Sequence, residues 1–385
     1  MKTLRFLATG FSVCGALSTA VSASSFSFIY PTVGSDFTRP LGVSDGEKTV
    51  GWLLREQGSS GTFSWTSSGG TIDWSAAGIS SVAANYGISG DGSVIVGTHL
   101  APGASRTTAF RRAGEGALQN LGVVPGWQYS TGTLASANGS VTVGRLSRGV
   151  VYPDVRSSPF VWTQAGGMRD LGKLFGAAES EANALSADGS TVVGWSELGS
   201  GTTLRAPIVW RNDSPLSVLS LDGIHARWGA EATGVSGDGR RIVGWAADPD
   251  QVYARTAIQW IDGTPHQLPL VGDYQNNTAL WITADARMIL GSVTGSSSGL
   301  QGLSYLWFAE GGGMFLYDYW TQNGVQLPAG WSVTALNAMS PDGDTFIGEM
   351  KQGREGPTYG FVVTVPAPAT SLLGLAFAFA VRRRR

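Results

Sequence analysis

The chain has 385 residues, of which 55 are glycine, 14 are tryptophan and one is cysteine; 10% are aromatic, 14% are charged, and the formal net charge is −2. This composition excludes a disordered chain, which needs low hydrophobicity and high net charge, and gives no whole-chain reason to bind nucleic acid. Glycine at roughly twice its usual frequency of about 7%, without a Gly-X-Y period, indicates many tight turns rather than collagen.

The N-terminal segment is typical of a secretory signal peptide. Lys2 and Arg5 precede an apolar run over residues 6–21, and Val21-Ser22-Ala23 places small residues where a cleavage site needs them. We therefore expect residues 1–23 to be removed during export. Because Cys14 lies inside this segment, the mature chain would contain no disulfide. A lipoprotein signal is the alternative use of that cysteine.

One sequence unit then repeats seven times. Its clearest copies have the pattern Ser-x-Asp-Gly-x-x-Val-Val-Gly and span residues 89–97, 186–194 and 236–244. The Asp or Asn of the seven copies falls at residues 45, 91, 138, 188, 238, 285 and 342, so the steps are 46, 47, 50, 50, 47 and 57. A period of this length predicts a solenoid or a propeller.

The second half of each unit is an apolar-x-Trp segment followed by a glycine turn and a leucine segment. The tryptophans are Trp65, Trp162, Trp210, Trp260 and Trp307, with Arg112 and Phe361 in the remaining copies. Asp-Gly turns between apolar runs indicate hairpins, and the alternation of apolar and polar residues has period two. Four antiparallel strands per unit predict an all-β fold, a seven-bladed β-propeller over residues 24–364, with no sustained helix between the strands.

The two ends of this region predict how the ring closes. After residues 359–363 the chain has no fourth strand for the last blade, whereas residues 26–30 form an apolar segment before the first Asp-Gly turn. We expect this N-terminal strand to complete the last blade and leave no long sheet edge exposed.

The repeat resembles the HAF family of extracellular repeats. That family combines a Val-Ser-x-Asp-Gly-x-x-Val-Val-Gly turn with an Ala-Phe-x-Trp strand and a Met-x-x-Leu-Gly strand, and the resemblance covers most of residues 40–363. It implies an extracellular repeat protein without indicating a reaction.

Residue types that carry catalysis or bind metal are sparse. His99, His225 and His266 fall in different blades without metal-ligand spacing, and no nucleophile elbow, metalloprotease motif or phosphate loop is present in the sequence. Each Asp-Gly turn offers one carboxylate, whereas calcium takes six to eight oxygens. The sequence therefore predicts no catalytic residue, no metal and no cofactor.

One set of residues indicates ligand binding. Four arginines precede the third strand of successive blades, and tyrosines occupy the same loops; the candidates are Arg106, Arg156, Arg205, Arg255, Tyr152 and Tyr253, with Tyr305 as a further tyrosine. On one face of a propeller they would form a partial ring able to pair the carboxylates or sulfates of a glycan. The alternative is that each arginine stacks on an aromatic ring or pairs with an acid within the protein. The repeated tryptophans are interpreted as packing between blades rather than as sugar platforms.

The C-terminal segment, residues 365–385, is interpreted as a sorting tail. Pro366 and Pro368 precede an apolar run over residues 372–381, predicted to be a short helix, and then Arg382, Arg383, Arg384 and Arg385. At 1.5 Å per residue, about 13 helical residues reach only about 20 Å of a hydrocarbon core of about 30 Å, so a permanent span would be strained. The tail resembles the PEP-CTERM sorting signal, with Ala367 in place of its glutamate. That resemblance implies processing by an exosortase-type enzyme and transient contact with the inner membrane.

Together these features predict an exported, surface-directed propeller that acts as a non-catalytic binding or scaffold module. The resemblance to the PEP-CTERM signal, whose proteins are associated with exopolysaccharide-producing, biofilm-forming bacteria, implies an exopolysaccharide as partner. With the arginine ring, that partner would be an acidic polysaccharide, and another surface protein is the alternative. The alternative is a propeller enzyme, a glycosidase or lyase, that draws its carboxylates from separate blades. Residues 24–365 contain 20 basic and 28 acidic residues, which argues against nucleic acid as a partner.

Overall fold

Each copy of the repeat forms one four-stranded antiparallel sheet in the computed structural model of the chain. Seven sheets are arranged in a ring, so the predicted seven-bladed β-propeller is confirmed. The structure describes residues 23–365 with the exception of residues 34, 56–59, 75–83, 102, 150–155, 200, 201, 203, 213, 227, 228, 248–253, 273, 275 and 295–302.

The blades are numbered in chain order, with strands given from the central channel outward. Blade 1 comprises β2 (Ser35–Val43), β3 (Thr49–Arg55), β4 (Ser60–Thr66) and β5 (Gly70–Asp73). Blade 2 comprises β6 (Ala84–Ile88), β7 (Val94–Leu100), β8 (Thr107–Ala113) and β9 (Gln119–Gly122). Blade 3 comprises β10 (Tyr129–Ala135), β11 (Val141–Arg148), β12 (Arg156–Thr163) and β13 (Gly167–Asp170). Blade 4 comprises β14 (Ser180–Leu185), β15 (Thr191–Glu197), β16 (Arg205–Arg211) and β17 (Ser217–Val218).

The last three blades follow the same order. Blade 5 comprises β18 (Ala230–Val235), β19 (Arg241–Ala247), β20 (Arg255–Ile261) and β21 (Thr264–Gln267). Blade 6 comprises β22 (Asn276–Ile282), β23 (Met288–Thr294), β24 (Leu303–Phe308) and β25 (Gly313–Phe315). Blade 7 comprises β26 (Trp331–Met339), β27 (Thr345–Gln352), β28 (Thr358–Thr364) and, as its outer strand, β1 (Ser25–Ile29). One helix, α1 (Leu316–Gln322), joins blade 6 to blade 7.

The N-terminal strand closes the ring, as the sequence predicts. Strand β1 pairs antiparallel with β28, with Ser25 opposite Thr364 and Ile29 opposite Gly360. Ile29 is fully buried, and Thr38 of blade 1 donates a hydrogen bond of 2.6 Å to its carbonyl oxygen. The seam between the last blade and the first is therefore held by backbone pairing and by packing.

The Ser-x-Asp-Gly turns are built by side-chain hydrogen bonds. The Ser186 hydroxyl donates to Asp188 Oδ1 at 2.7 Å and accepts the N–H of Thr191 at 2.9 Å. Asp188 Oδ1 also accepts the N–H of Ser190 at 2.9 Å, and these donors, with the backbone N–H first, hold the pKa of Asp188 below its ordinary value. Gly189 has φ +78°, which glycine adopts without steric cost.

Blade 1 departs from the sequence alignment of these turns. Its turn is one residue shorter, since the N–H of Ser44 donates to the carbonyl of Lys48, so Asp45 occupies the place of Ala187 rather than that of Asp188. The side chain of Asp45 therefore faces the neighbouring turns, and its Oδ1 accepts the N–H of Asp342 at 2.9 Å. This contact closes a ring of hydrogen bonds that links each turn to the next around the axis.

The glycine that ends each Val-Val-Gly motif is required by close approach of the first strand. A Cβ on Gly194 would lie 1.9 Å from the carbonyl oxygen of Glu181. At this level the first strand bulges between Ala182 and Ala184, which turns Asn183 out of the ladder. All seven first strands carry such a bulge, at Leu41, Tyr86, Thr133, Asn183, Thr233, Leu280 and Asn337. These strands line the central channel.

The repeated tryptophans pack in the core. Trp65, Trp162, Trp210, Trp260 and Trp307 are all at most 6% exposed. The indole N–H of Trp210 donates to the carbonyl of Gly172 at 3.3 Å, and that of Trp260 donates to Ser220 at 2.6 Å. These two rings thus fix the linkers that lead to their blades.

Helix α1 is absent from the sequence prediction, which expected no helix between strands. It has only seven residues, no side-chain cap and one acidic residue in its first turn, so it leaves almost no signal in the sequence. No helix in the described ranges is long and apolar enough to span a bilayer. Residues 1–22 of the predicted signal peptide (residues 1–23) and the helix predicted for the C-terminal tail lie outside the described residues.

Candidate functional site

The two faces of the propeller differ in their connections. The Asp-Gly face carries the turns between first and second strands. The opposite face, here the loop face, carries the connections from second to third strands and the linkers between blades. Arg106 precedes β8 by one residue, and Arg156, Arg205 and Arg255 are the first residues of β12, β16 and β20. The four candidate arginines thus lie at the loop face.

Two of these arginines lie over tryptophan rings of their own blades. The guanidinium of Arg205 lies 3.6 Å from the ring centroid of Trp195 and pairs with Glu231 Oε1 at 2.5 Å. The guanidinium of Arg255 lies 3.8 Å from the centroid of Trp245. Arg205 is therefore engaged in a contact between blades 4 and 5, as the alternative interpretation of the sequence expected.

Among the described residues, Arg255 has no ion pair with blade 6 that corresponds to the Arg205–Glu231 pair. Thr278 stands in β22 where Glu231 stands in β18, so blade 6 offers no carboxylate at the equivalent position. The side chain of Arg255 is exposed, and Arg106 is exposed as well.

Charged pairs link other neighbouring blades at the same level. Arg39 Nε lies 2.6 Å from Glu349 Oε1, across the seam between blades 7 and 1, and its guanidinium lies 5.3 Å from the centroid of Trp52. Burial raises the pKa of Glu181, and the nearby charges of Arg145 and Arg205 oppose that rise. The Arg39–Glu349 pair joins the first strand of blade 1 to the second strand of blade 7.

The fourth arginine, Arg156, lines a cationic cleft. The sequence does not predict that the residues of this cleft lie together. This Trp127 cleft has a volume of about 390 Å³ and is lined by Gly126, Trp127, Arg148, Arg156, Lys173 and Ala177. Its members come from the end of β11, the start of β12 and the linkers on either side of blade 3. Arg148 and Arg156 are direct partners in the β11–β12 ladder, a spacing that a hairpin alignment of the sequence can identify.

Lys173 is held in the cleft wall by the backbone. Its ammonium donates to the carbonyl oxygens of Ala178 at 2.6 Å and Ser157 at 3.1 Å, and it lies 5.4 Å from the ring centroid of Trp127. Burial lowers the pKa of Lys173, while the carboxylate of Asp170 favours its charged form. The Trp127 indole donates to that carboxylate at 2.9 Å, which fixes the ring. The cleft is thus a preformed site whose described lining contains three cations and no carboxylate.

The central channel has a volume of about 290 Å³ and a different character. Its described lining is mostly apolar or backbone, with Asp45 as the one carboxylate. Partial burial raises the pKa of Asp45, against the hydrogen bond from Asp342. A glycosidase needs two carboxylates flanking the scissile bond, and the described part of the channel lining presents one.

The remaining candidates separate into described and undescribed residues. Tyr152, Tyr253, Pro366, Pro368 and the terminal arginines Arg382, Arg383, Arg384 and Arg385 lie outside the described residues. Tyr305, expected in a loop, lies in strand β24 with its ring centroid 5.0 Å from that of Trp307.

The histidines remain in separate environments. His99 is buried against Phe110, and His266 is exposed in β21. Across the described ranges no group of three or more His, Cys, Asp or Glu residues could hold a metal ion.

Comparison with solved structures finds other propellers. An oligogalacturonate lyase in complex with manganese matches with a TM-score of 0.58 and 13% identity, over 90% of this chain and 97% of that chain. The β-propeller domain of the Trilobed protease from Pyrococcus furiosus, which has an open velcro topology, matches with a TM-score of 0.56 and 8% identity, over 87% and 97%. A prolyl endopeptidase matches with a TM-score of 0.54 and 11% identity over 87% of this chain, which spans about half (51%) of that protein.

These similarities establish the fold alone, because all three identities are low. No protein-family model and no curated protein matches the sequence.

Proposed function

We propose that the protein is an exported, non-catalytic binder of acidic polysaccharide, which it holds in the Trp127 cleft. The observation that carries the proposal is the composition of the cleft: two arginines, one lysine and an indole surround about 390 Å³, and none of the described lining residues is acidic. Planar guanidinium groups pair a carboxylate or sulfate with two parallel hydrogen bonds, and an indole face packs against the apolar face of a sugar ring.

The charge of the whole domain makes this cleft distinctive. Residues 24–365 carry an excess of eight acidic residues, so a polyanion is repelled at long range and attracted only where cations cluster. Phe175 follows Lys173 by two residues in the same linker, and its side chain is fully exposed. An exposed aromatic ring beside a cationic cleft suits a sugar chain that continues beyond the cleft.

A panel of immobilised polysaccharides tests this proposal. The purified protein should bind polyuronates and sulfated glycans and should not bind neutral glucans. Arg148→Ala and Arg156→Ala should each weaken binding about tenfold or more, since a charge-assisted hydrogen bond contributes roughly 1.5–3 kcal/mol. Arg354→Ala is the matched control, because Arg354 is almost fully exposed in the β27–β28 connection of the same face. Binding to neutral glucans with equal affinity refutes the proposal.

A glycan-cleaving enzyme is the second candidate function. The observation that favours it is a pair of glutamates on neighbouring inner strands: Glu231 is ion-paired with Arg205, and the pKa of Glu181 is raised by burial. A raised pKa suits a general acid beside an ionised partner. The lyase with a similar fold carries manganese, whereas the described residues here offer no cluster for a metal. If the wild-type protein releases products from polyuronate and Glu181→Gln does not, the result favours an enzyme over a protein that only binds.

Export and sorting belong to the same proposal. The basic start and apolar run of residues 1–23 support export, and the prolines, apolar run and four arginines of residues 365–385 support recognition by an exosortase-type enzyme at the inner membrane. Mass spectrometry of the cell-surface protein should find a chain that begins at Ser24 and lacks Arg382–Arg385. A surface protein that retains both ends contradicts this part.

A further inference from the structure

The connection between blades 6 and 7 is longer than the other connections of the ring. The step from Asp285 to Asp342 is 57 residues, whereas the other steps are 46 to 50. The additional residues form helix α1 and the segment from Asn323 to Gly330. Leu316 and Trp320 of the helix are buried, and the Trp320 ring packs edge-on against Phe346 and Phe361 of blade 7, with centroids 5.8 and 5.9 Å away.

This inserted segment forms one wall of an apolar groove on the loop face. The groove has a volume of about 520 Å³, within the range of small-molecule sites. Strand β24 and the start of β26 complete its walls, and its polar lining residues are Ser304, Asp318 and Ser332. The apolar lining residues are Leu303, Phe315, Leu316, Tyr317, Trp320, Leu327, Trp331, Val333 and Leu336.

Trp320 in this groove has an unsatisfied donor. Its side chain is 2% exposed, and its indole N–H has no acceptor in the described part of the chain. Other buried indoles are satisfied: that of Trp74 donates to Ser64 Oγ at 3.0 Å, and that of Trp307 donates to the carbonyl of Pro269 at 3.0 Å. A buried donor without a partner is unfavourable, and a ligand that supplies an acceptor removes this penalty.

We propose that the groove binds a neutral, largely aromatic small molecule that carries one hydrogen-bond acceptor. Phe315, Tyr317 and Trp331 are aromatic residues of the groove lining, and an acceptor that reaches the Trp320 indole would satisfy its N–H. Asp318 at the rim disfavours an anion, so this ligand class differs from that of the Trp127 cleft. The site is independent of the proposed polysaccharide function, and either proposal can fail without the other.

Fluorescence titration with Nile red tests the groove, because this dye is neutral and aromatic, carries a ring carbonyl and brightens in apolar surroundings. The intact protein should bind the dye saturably with one site per chain. Leu303→Asp places a charge on the exposed rim and should weaken binding at least tenfold. Trp320→Phe keeps an aromatic ring but removes the donor, and should weaken binding roughly fivefold.

Val218→Asp is the matched control, since Val218 is exposed in blade 4 and should leave the titration unchanged. Thermal melts identify any variant that fails to fold. If Trp320→Phe does not fold, Leu303→Asp still tests the proposal, because Leu303 is already 40% exposed and its substitution should be tolerated. The proposal is overturned if the wild-type protein shows no saturable binding, or if Leu303→Asp binds as wild type. Equal binding by Trp320→Phe overturns the role of the indole donor.

Discussion

Substitution of Gly194 by alanine tests how the second strand of each blade meets the first. The added Cβ would lie 1.9 Å from the Glu181 carbonyl oxygen and 3.0 Å from the Cα of Ala182, both backbone atoms of β14. Side-chain rotation cannot relieve a clash with backbone, so β14 must move by about 1.5 Å to reach an ordinary van der Waals contact. That movement disturbs the bulge at Asn183 and the ladder between β14 and β15.

The magnitude follows from the contacts that are lost. One or two weakened backbone hydrogen bonds contribute about 1 kcal/mol each, and overpacking costs about 1–3 kcal/mol, so the free energy of unfolding should fall by about 2–5 kcal/mol. Urea denaturation followed by tryptophan fluorescence measures the change. Gly46→Ala is the control: nothing lies within 4 Å of its added Cβ, so its stability should stay within about 0.5 kcal/mol of wild type. A Gly194→Ala protein as stable as Gly46→Ala refutes the reasoning.

Three further predictions concern the ring and its turns. Ile29→Ala should lower the free energy of unfolding by about 2–5 kcal/mol, measured in urea, because it empties a buried position in the closing strand. Asp45→Ala should lower the thermal midpoint more than Asp36→Ala, because only Asp45 accepts the Asp342 N–H at the seam. Asp188→Asn should cost about 0.5 kcal/mol at pH 7, after allowance for solvent screening. Because the folded pKa of Asp188 lies below 3.8, this difference should vanish as the pH falls through that folded value.

Much of the fold follows from the spacing of one motif. The seven Asp-Gly turns and the unpaired apolar segments at the two ends of the domain predict both the number of blades and the closure by residues 26–30. The bulges do not follow from spacing, since they depend on the carbonyl of the first strand approaching the glycine of the second. The shorter turn of blade 1 is visible in the sequence, because Ser44-Asp45-Gly46 lacks the residue that separates Ser from Asp in the clear copies. The positive φ of 56° at Glu47, which completes this shorter turn, is not.

The loop face was predictable in position but not in detail. The candidate arginines lie at the ends of their strands, as the topology requires. Whether an arginine can bind a ligand depends on the side chains of the second strand of its own blade and of the first strand of the next blade. Trp195 and Glu231 engage Arg205, whereas Thr278 leaves Arg255 without a comparable carboxylate. The Trp127 cleft draws on four segments, so no local pattern identifies it. The one sequence feature that could indicate the cleft is the spacing of Arg148 and Arg156, which places them opposite each other in one hairpin.

Calorimetric titration of a polyuronate oligosaccharide into the protein tests the central claim most directly. At low salt the wild type and Arg354→Ala should bind it saturably, the Arg148→Ala/Arg156→Ala double variant should give no binding heat, and about 0.5 M salt should weaken binding at least tenfold. Unchanged binding by the double variant, or no binding by the wild type to any acidic glycan, contradicts the assignment of the cleft.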